Sequence, residues 1–132
     1  MQKLALITGT GSGIGKALAE LLLDKNYKVV GYSRTNQIIH INFTFIKIDL
    51  SDLATTKKLI FPEANKSEVL LVNNAATIGT IVPFAKKKPK DIIIEYQLNL
   101  ITPTLLSQKF ISTYNENSKL LINLGSGAAN NP

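Results

Sequence analysis

Five short apolar runs punctuate the chain, and residues at helical spacing fill the intervals between them. The first run, LALIT at 4–8, leads straight into glycines at 9, 11, 13 and 15. The others are YKVVGYS at 27–33, TFIKIDL at 44–50, EVLLVNNAA with its exit turn at 68–76, and KLLINLGS at 119–126. They are near-continuous rather than alternating, the pattern of strands buried on both faces of a parallel sheet. After the first run, Ile14, Ala17, Leu18, Leu21 and Leu22 recur at helical spacing and predict an amphipathic helix closing near Lys25 and Asn26. Ser51 or Asp52 is placed to cap a short helix through Leu59 and Ile60, which Pro62 limits. A long helical segment is predicted from Asp91 to about Tyr114 with a kink at Pro103, and none is predicted to run through Pro89. Alternation of strand and helix predicts an α/β fold: a doubly wound parallel sheet of about five strands in the order 3-2-1-4-5, in three α/β/α layers.

At 132 residues the expectation is a single domain over 1–132, since neither a repeat nor a low-complexity linker divides the chain. Such a chain buries roughly two thirds of its unfolded surface. The apolar fraction of 45% and charged fraction of 18% are those of an ordinary soluble globular protein. The absence of cysteine removes disulfides, thiolate metal sites and a cysteine nucleophile. The single His40 falls in the connecting stretch QIIHINFT, where a surface or packing role is expected and no metal site. Fifteen basic residues against nine acidic ones leave a net charge of +6, which suits anionic ligands. The densest basic cluster, PFAKKKPKD at 83–91, has no aromatic interleaving beyond Phe84, so it reads as a solvated loop rather than a nucleic-acid surface. The N-terminal apolar run is cut by Gly9, far short of a membrane span, and no secretory signal is visible; a cytoplasmic protein without a membrane partner is expected.

The strand–glycine–helix junction at 4–22 is where chemistry enters. Gly9 permits a tight turn, Gly13 a close backbone approach to a pyrophosphate, and Gly15 close packing of helix on strand. The helix N-terminus then presents free N–H groups and a positive dipole end to phosphate. The Gly-Lys-Ser/Thr ending of a mononucleotide loop is absent, because Ala17 follows Lys16. At the tip of the second strand, where an acidic residue would meet the ribose 2′-hydroxyl of NAD, stand Ser33 and Arg34. A hydroxyl and a guanidinium suit a 2′-phosphate, so NADP is expected in preference to NAD.

With these residues in place the chain resembles the short-chain dehydrogenase/reductase family over its whole length, which implies a Rossmann-type fold and a nicotinamide cofactor. TGTGSGIG at 8–15 matches the family's Thr-Gly-x-x-x-Gly-x-Gly turn with Thr8, Gly9, Gly13, Ile14 and Gly15 in register, and Gly11 and Ser12 inside it. The resemblance implies that Asp49 meets the adenine ring with Leu50 beside it. It also implies that NNAA at 73–76 steadies the sheet and brings Asn74, Ala75 and Ala76 to the cofactor, with Ala76 where glycine is usual. Asn99 falls where the family keeps a helix-distorting asparagine that anchors a water in the proton relay. Ser126 falls on the catalytic serine that hydrogen-bonds the substrate carbonyl. SRT after the second strand and SGAANNP after the fifth look like the sepiapterin reductase and benzil reductase branch, NADP-dependent carbonyl reductases. A small ketone, diketone or pterin-like carbonyl is the implied substrate, and 77–84 is expected to supply an apolar wall for a planar or aromatic one.

The family's acid is a tyrosine followed four residues later by lysine, about a dozen residues after the serine. Here residue 132 follows Ser126 by six, and Tyr27, Tyr32, Tyr96 and Tyr114 are followed at +4 by Gly31, Asn36, Leu100 and Ser118. The expectation is therefore a truncated reductase, missing the tyrosine-bearing helix and last strands and inactive or nearly so by itself. Its fifth strand would be an open, association-prone edge, and the complete protein a homo-oligomer, dimer or tetramer. A catalytically dead nucleotide-binding or sensor module is the alternative, followed by a basic nucleic-acid-binding protein.

Overall fold

β1 (Leu4–Thr8) is the axis of the molecule, and every one of its five residues is buried. The computed structural model describes residues 2–126. After β1 come α1 (Gly13–Asp24), β2 (Lys28–Ser33), β3 (Phe43–Lys47), α2 (Leu53–Lys58) and β4 (Val69–Asn73). A 3₁₀ turn (Phe84–Lys86) leads to α3 (Pro89–Tyr96), a π-turn (Gln97–Ile101), α4 (Thr102–Thr113) and β5 (Lys119–Asn123). The strands form one parallel sheet in the order β3-β2-β1-β4-β5, as the strand–helix alternation predicts. Leu6 faces Val30 on one side and Leu71 on the other, and Asn73 is in register with Asn123 at the far end.

Each face of the sheet carries its own core. Ala5, Ile7, Val29 and Val72 pack against Ala19, Leu22 and Leu23 of α1. Leu4, Leu6, Val30, Tyr32 and Leu71 pack against Leu106, Phe110 and Tyr114 from the α4 side, with Leu59 and Phe61 closing the end. There Phe61 meets Tyr32 edge-on at 6.0 Å and stacks on Tyr114 at 6.3 Å, and the Tyr114 hydroxyl donates to the Pro62 carbonyl at 2.5 Å. Asn117 Nδ2 reaches the carbonyls of Ala64, Asn65 and Ser67, fixing the approach to β4.

Three expectations change. The buried face of α1 is Gly15, Ala19, Leu22 and Leu23, while Ile14 and Leu21 are exposed. Gly15 must lie against the Gly9 carbonyl, so it sets the helix phase, and residues four, seven and eight further on follow it inward. The second helix stops at Lys58, capped by Asp52, whose carboxylate accepts from Ala54 N–H at 3.2 Å; Leu59 then turns into the core and Ile60 outward. The long helical segment breaks before Pro103, not at it. Pro103 sits in the first turn of α4, where its missing N–H is accommodated, and the widened turn immediately ahead of it takes up one extra residue. Pro89 likewise opens α3. No helix among the described residues is long and apolar enough to cross a membrane, and none of their His, Asp or Glu groups forms a metal-binding cluster. His40 lies in the β2–β3 connection, its Nδ1 accepting from Asn42 N–H at 3.0 Å.

Candidate active site

A cleft of about 690 Å³ opens at the C-terminal ends of β1, β2 and β4, where an open α/β sheet binds its ligands. Its floor is the turn after β1. Gly9 takes φ +77° and donates its N–H to the Tyr32 carbonyl at 2.8 Å, swinging the chain out of the strand. A Cβ on Gly15 would collide with the Gly9 carbonyl oxygen and the Asn74 amide, so α1 starts as close to β1 as a backbone can. Gly13 is different: at φ +60° it needs the left-handed region, but nothing lies within 4 Å of an added Cβ. Gly11 is tight against β2, where a Cβ would stand 2.6 Å from Thr35 Oγ1 and 2.8 Å from Ser33 Oγ.

Ser12 caps α1 in extended conformation without using its hydroxyl, and the first turn holds no acidic residue. Ser12 and Ile14 line the cleft, so the start of the helix, where N–H groups lack intrahelical partners and suit an anion, borders it. Ile14, which the glycine motif assigns to the cofactor turn, lines this cleft, which accounts for its 70% exposure. At the tip of β2, Ser33, Arg34 and Thr35 form a rim with one guanidinium and two hydroxyls. Thr35 is absent from the sequence-derived set, although it completes the Ser-Arg-Thr triplet. Asp49 and Leu50 form the opposite rim. Asp49 Oδ1 accepts from Ser51 Oγ at 2.6 Å and Ser51 N–H at 3.0 Å. These bonds, with a smaller pull from Arg34, hold its carboxyl below the usual range. Leu50 turns into the core while its carbonyl accepts from Thr102 Oγ1 at 2.5 Å.

Thr8 does not line the cleft. Its buried hydroxyl accepts from the N–H groups of Asn74 and Ala75, both at 3.0 Å, and so ties the exit of β4 to the end of β1. Asn74 completes the tie, donating to the carbonyls of Thr8 at 3.0 Å and Gly9 at 3.1 Å. Asn74, Ala75 and Ala76 reach the cleft from there. They also border a smaller polar pocket of about 260 Å³ lined by Asn73, Asn99, Ser107 and Asn123. Asn73 Nδ2 donates to Asn123 Oδ1 at 2.8 Å and Ser107 Oγ at 3.1 Å. Asn99 occupies the middle of the π-turn, and its amide grips the backbone of Thr77 from both sides. Ser126 is exposed three residues beyond β5, outside the lining of both pockets. The rest of the SGAANNP segment, 127–132, lies outside the described residues.

The arrangement is a dinucleotide cleft on a doubly wound sheet. A family model for short chain dehydrogenases matches residues 3–132, and the chain belongs to that family. Benzil reductases ((S)-benzoin forming) of Bacillus cereus and Bacillus subtilis (strain 168) are each 33% identical to it; the matches cover 96% and 98% of this chain and 57% of either relative. The chain thus spans little more than half the length of the curated relatives it matches. A short-chain dehydrogenase/reductase from Burkholderia vietnamiensis superposes with a TM-score of 0.85 at 26% identity, covering 98% of this chain and 65% of that one. Other structures of this fold were solved with NADH in one case and NADP+ in another, so the cofactor preference has to be read from this chain's own residues.

Proposed function

We propose that this chain is the cofactor-binding part of an NADPH-dependent carbonyl reductase acting on small aryl ketones or diketones. The observation that carries the cofactor choice is the β2 tip: Arg34 flanked by the hydroxyls of Ser33 and Thr35, with no carboxylate at that tip. A 2′-phosphate there gains a bidentate guanidinium and two neutral donors, whereas a bare 2′-hydroxyl lacks the acidic acceptor it prefers. The cleft fits a dinucleotide in other respects too. Gly11 keeps the loop close to β2, and Ser12 and Ile14 bring the start of α1, with its positive dipole end, to the cleft.

Bound nicotinamide would supply the hydride. The chain's own residues hold and orient. Asn74, Ala75 and Ala76 form the wall between the cleft and the polar pocket, and Ser126 is assigned the hydrogen bond to the substrate oxygen that gains negative charge. The stretch 77–84 carries Ile78, Ile81, Val82 and Phe84 to the surface, an apolar face suited to an aromatic group. The similarity to benzil reductases supports an aryl diketone over a pterin.

The test is equilibrium titration of the chain with NADPH and NADH, followed by the nucleotide's own fluorescence. NADPH is expected to bind at least tenfold more tightly, and Arg34→Asp to reverse the order, in line with the 1.5–3 kcal/mol of a hydrogen bond to a charged group. Tighter binding of NADH, or indifference to Arg34→Asp, overturns the assignment.

A further inference from the structure

The loop after β4 is anchored more firmly than its lack of regular structure suggests. Gly79 takes φ +74°, and the place its Cβ would occupy is filled by the Glu95 carboxylate. Glu95 Oε1 is fully buried and lies 2.6 Å from Lys87 Nζ, each side chain being only 17% exposed. Thr77 Oγ1 accepts from the Gly79 N–H at 3.0 Å, and Thr77 itself is held by Asn99. Glu95 and Asn99 are four residues apart across the junction of α3 and the π-turn. They therefore reach the same loop from one side of the helical segment. Between the ties at 77, 79 and 87, Ile78, Ile81 and Phe84 stand more than 80% exposed. These large apolar side chains stand off the body on a loop tied to it at three points.

We propose that Glu95, with Lys87, is a positioning residue that fixes this loop as a substrate wall; the substrate part rests on the carbonyl reductase reading above. Neither residue touches the nucleotide cleft, so each acts through the loop. The ion pair is largely buried and weakly screened by salt, which suits a permanent clamp better than a transient contact.

The experiment uses Glu95→Gln, Lys87→Met and the pair together, read by hydrogen exchange resolved to short segments and by nucleotide and benzil titration. Each single variant is expected to raise exchange over 78–86 about tenfold relative to the sheet, with NADPH affinity changed by less than about twofold. Uptake of benzil by the NADP+-loaded chain is expected to weaken several-fold, and the double variant to be no worse than either single one. Gly79→Ala is expected to loosen the loop less on a Glu95→Ala background than alone, a coupling that two separate structural losses would not show. Unchanged exchange over 78–86, or exchange raised equally along the whole chain, overturns the clamp. If the unaltered chain takes up no benzil, the substrate-wall part of the proposal fails, and the exchange data still decide the clamp.

Discussion

Asn99 and Thr77 are bound to each other as two amides pair: Thr77 N–H donates to Asn99 Oδ1 and Asn99 Nδ2 donates to the Thr77 carbonyl, both at 2.8 Å. The π-turn supplies the asparagine and the exit of β4 supplies the peptide. The bond therefore couples the only widened helical turn among the described residues to the wall of the candidate site. Asn99→Ala should cost about 1–2 kcal/mol in urea denaturation, two exposed hydrogen bonds' worth. Asn99→Asp should lose at neutral pH nearly as much, because a carboxylate still accepts from Thr77 but repels its carbonyl.

The glycines of the first turn should separate by mechanism. Gly15→Ala drives a methyl into the Gly9 carbonyl and is expected to cost about 2–3 kcal/mol and to disrupt nucleotide binding. Gly13→Ala meets no atom and should cost about 1 kcal/mol from backbone strain alone. Thermal denaturation with and without NADPH distinguishes the two.

Two buried tyrosines predict opposite outcomes for the same substitution. The Tyr32 hydroxyl is buried with no partner among the described residues, so Tyr32→Phe should be neutral or stabilising. Tyr114→Phe removes the bond to Pro62 and should cost about 1 kcal/mol. Burial raises both phenols above their usual range. A raised phenol contributes stability below its unfolded pKa and loses it as the pH climbs, so neither should ionise before the alkaline unfolding transition in an ultraviolet titration.

Asp49 should report its own hydrogen bonds. A folded pKa held below the ordinary 3.8 means its contribution is present above that value and fades as pH falls through the lowered one. Ser51→Ala removes both the hydroxyl bond and its pull, and the Asp49 carboxyl should move back toward the ordinary value in an NMR titration. An unmoved carboxyl would assign the shift to the N–H of residue 51, which the substitution keeps, and to Arg34.

The 132-residue polypeptide contains no tyrosine with lysine at +4. It is expected to bind NADPH yet oxidise it no faster with benzil present than without. A benzil-dependent rate comparable with an ordinary enzyme's, about 1 s⁻¹ or more, would require an acid other than the family's tyrosine.

Strand order, the glycine turn and the Ser-Arg tip were legible because each depends on neighbours in the chain or on backbone limits that glycine and proline impose. Thr8 was legible as a motif member but not in its role, since its partners Asn74 and Ala75 lie 66 and 67 residues away. Helical spacing alone could not phase α1, because Gly15 carries no side chain to count as apolar yet makes the closest approach. Pro103 drew the expected kink onto itself; the strain was relieved in the turn before it, where the sequence QLNLI shows no breaker. Glu95 and Lys87 were invisible for a similar reason: Lys87 falls in a basic cluster that reads as a solvated loop and Glu95 in the predicted helix after it, and only the folded loop brings them together.

The same π-turn has a consequence for how the chain tolerates change in length. Gln97 Nε2 bonds Thr102 Oγ1 at 3.1 Å, a contact between residues five apart that an ordinary α-helical turn makes between residues four apart. Counted from the core, one residue between them is surplus. Removing it would return the segment to regular helix with Leu106, Phe110 and Tyr114 still facing the sheet. The deletion would instead fall on Asn99, whose reach to Thr77 uses that extra residue. The sheet's packing and the loop's anchorage can therefore vary independently at this one place, with insertions and deletions reshaping the wall of the site while the core keeps its register.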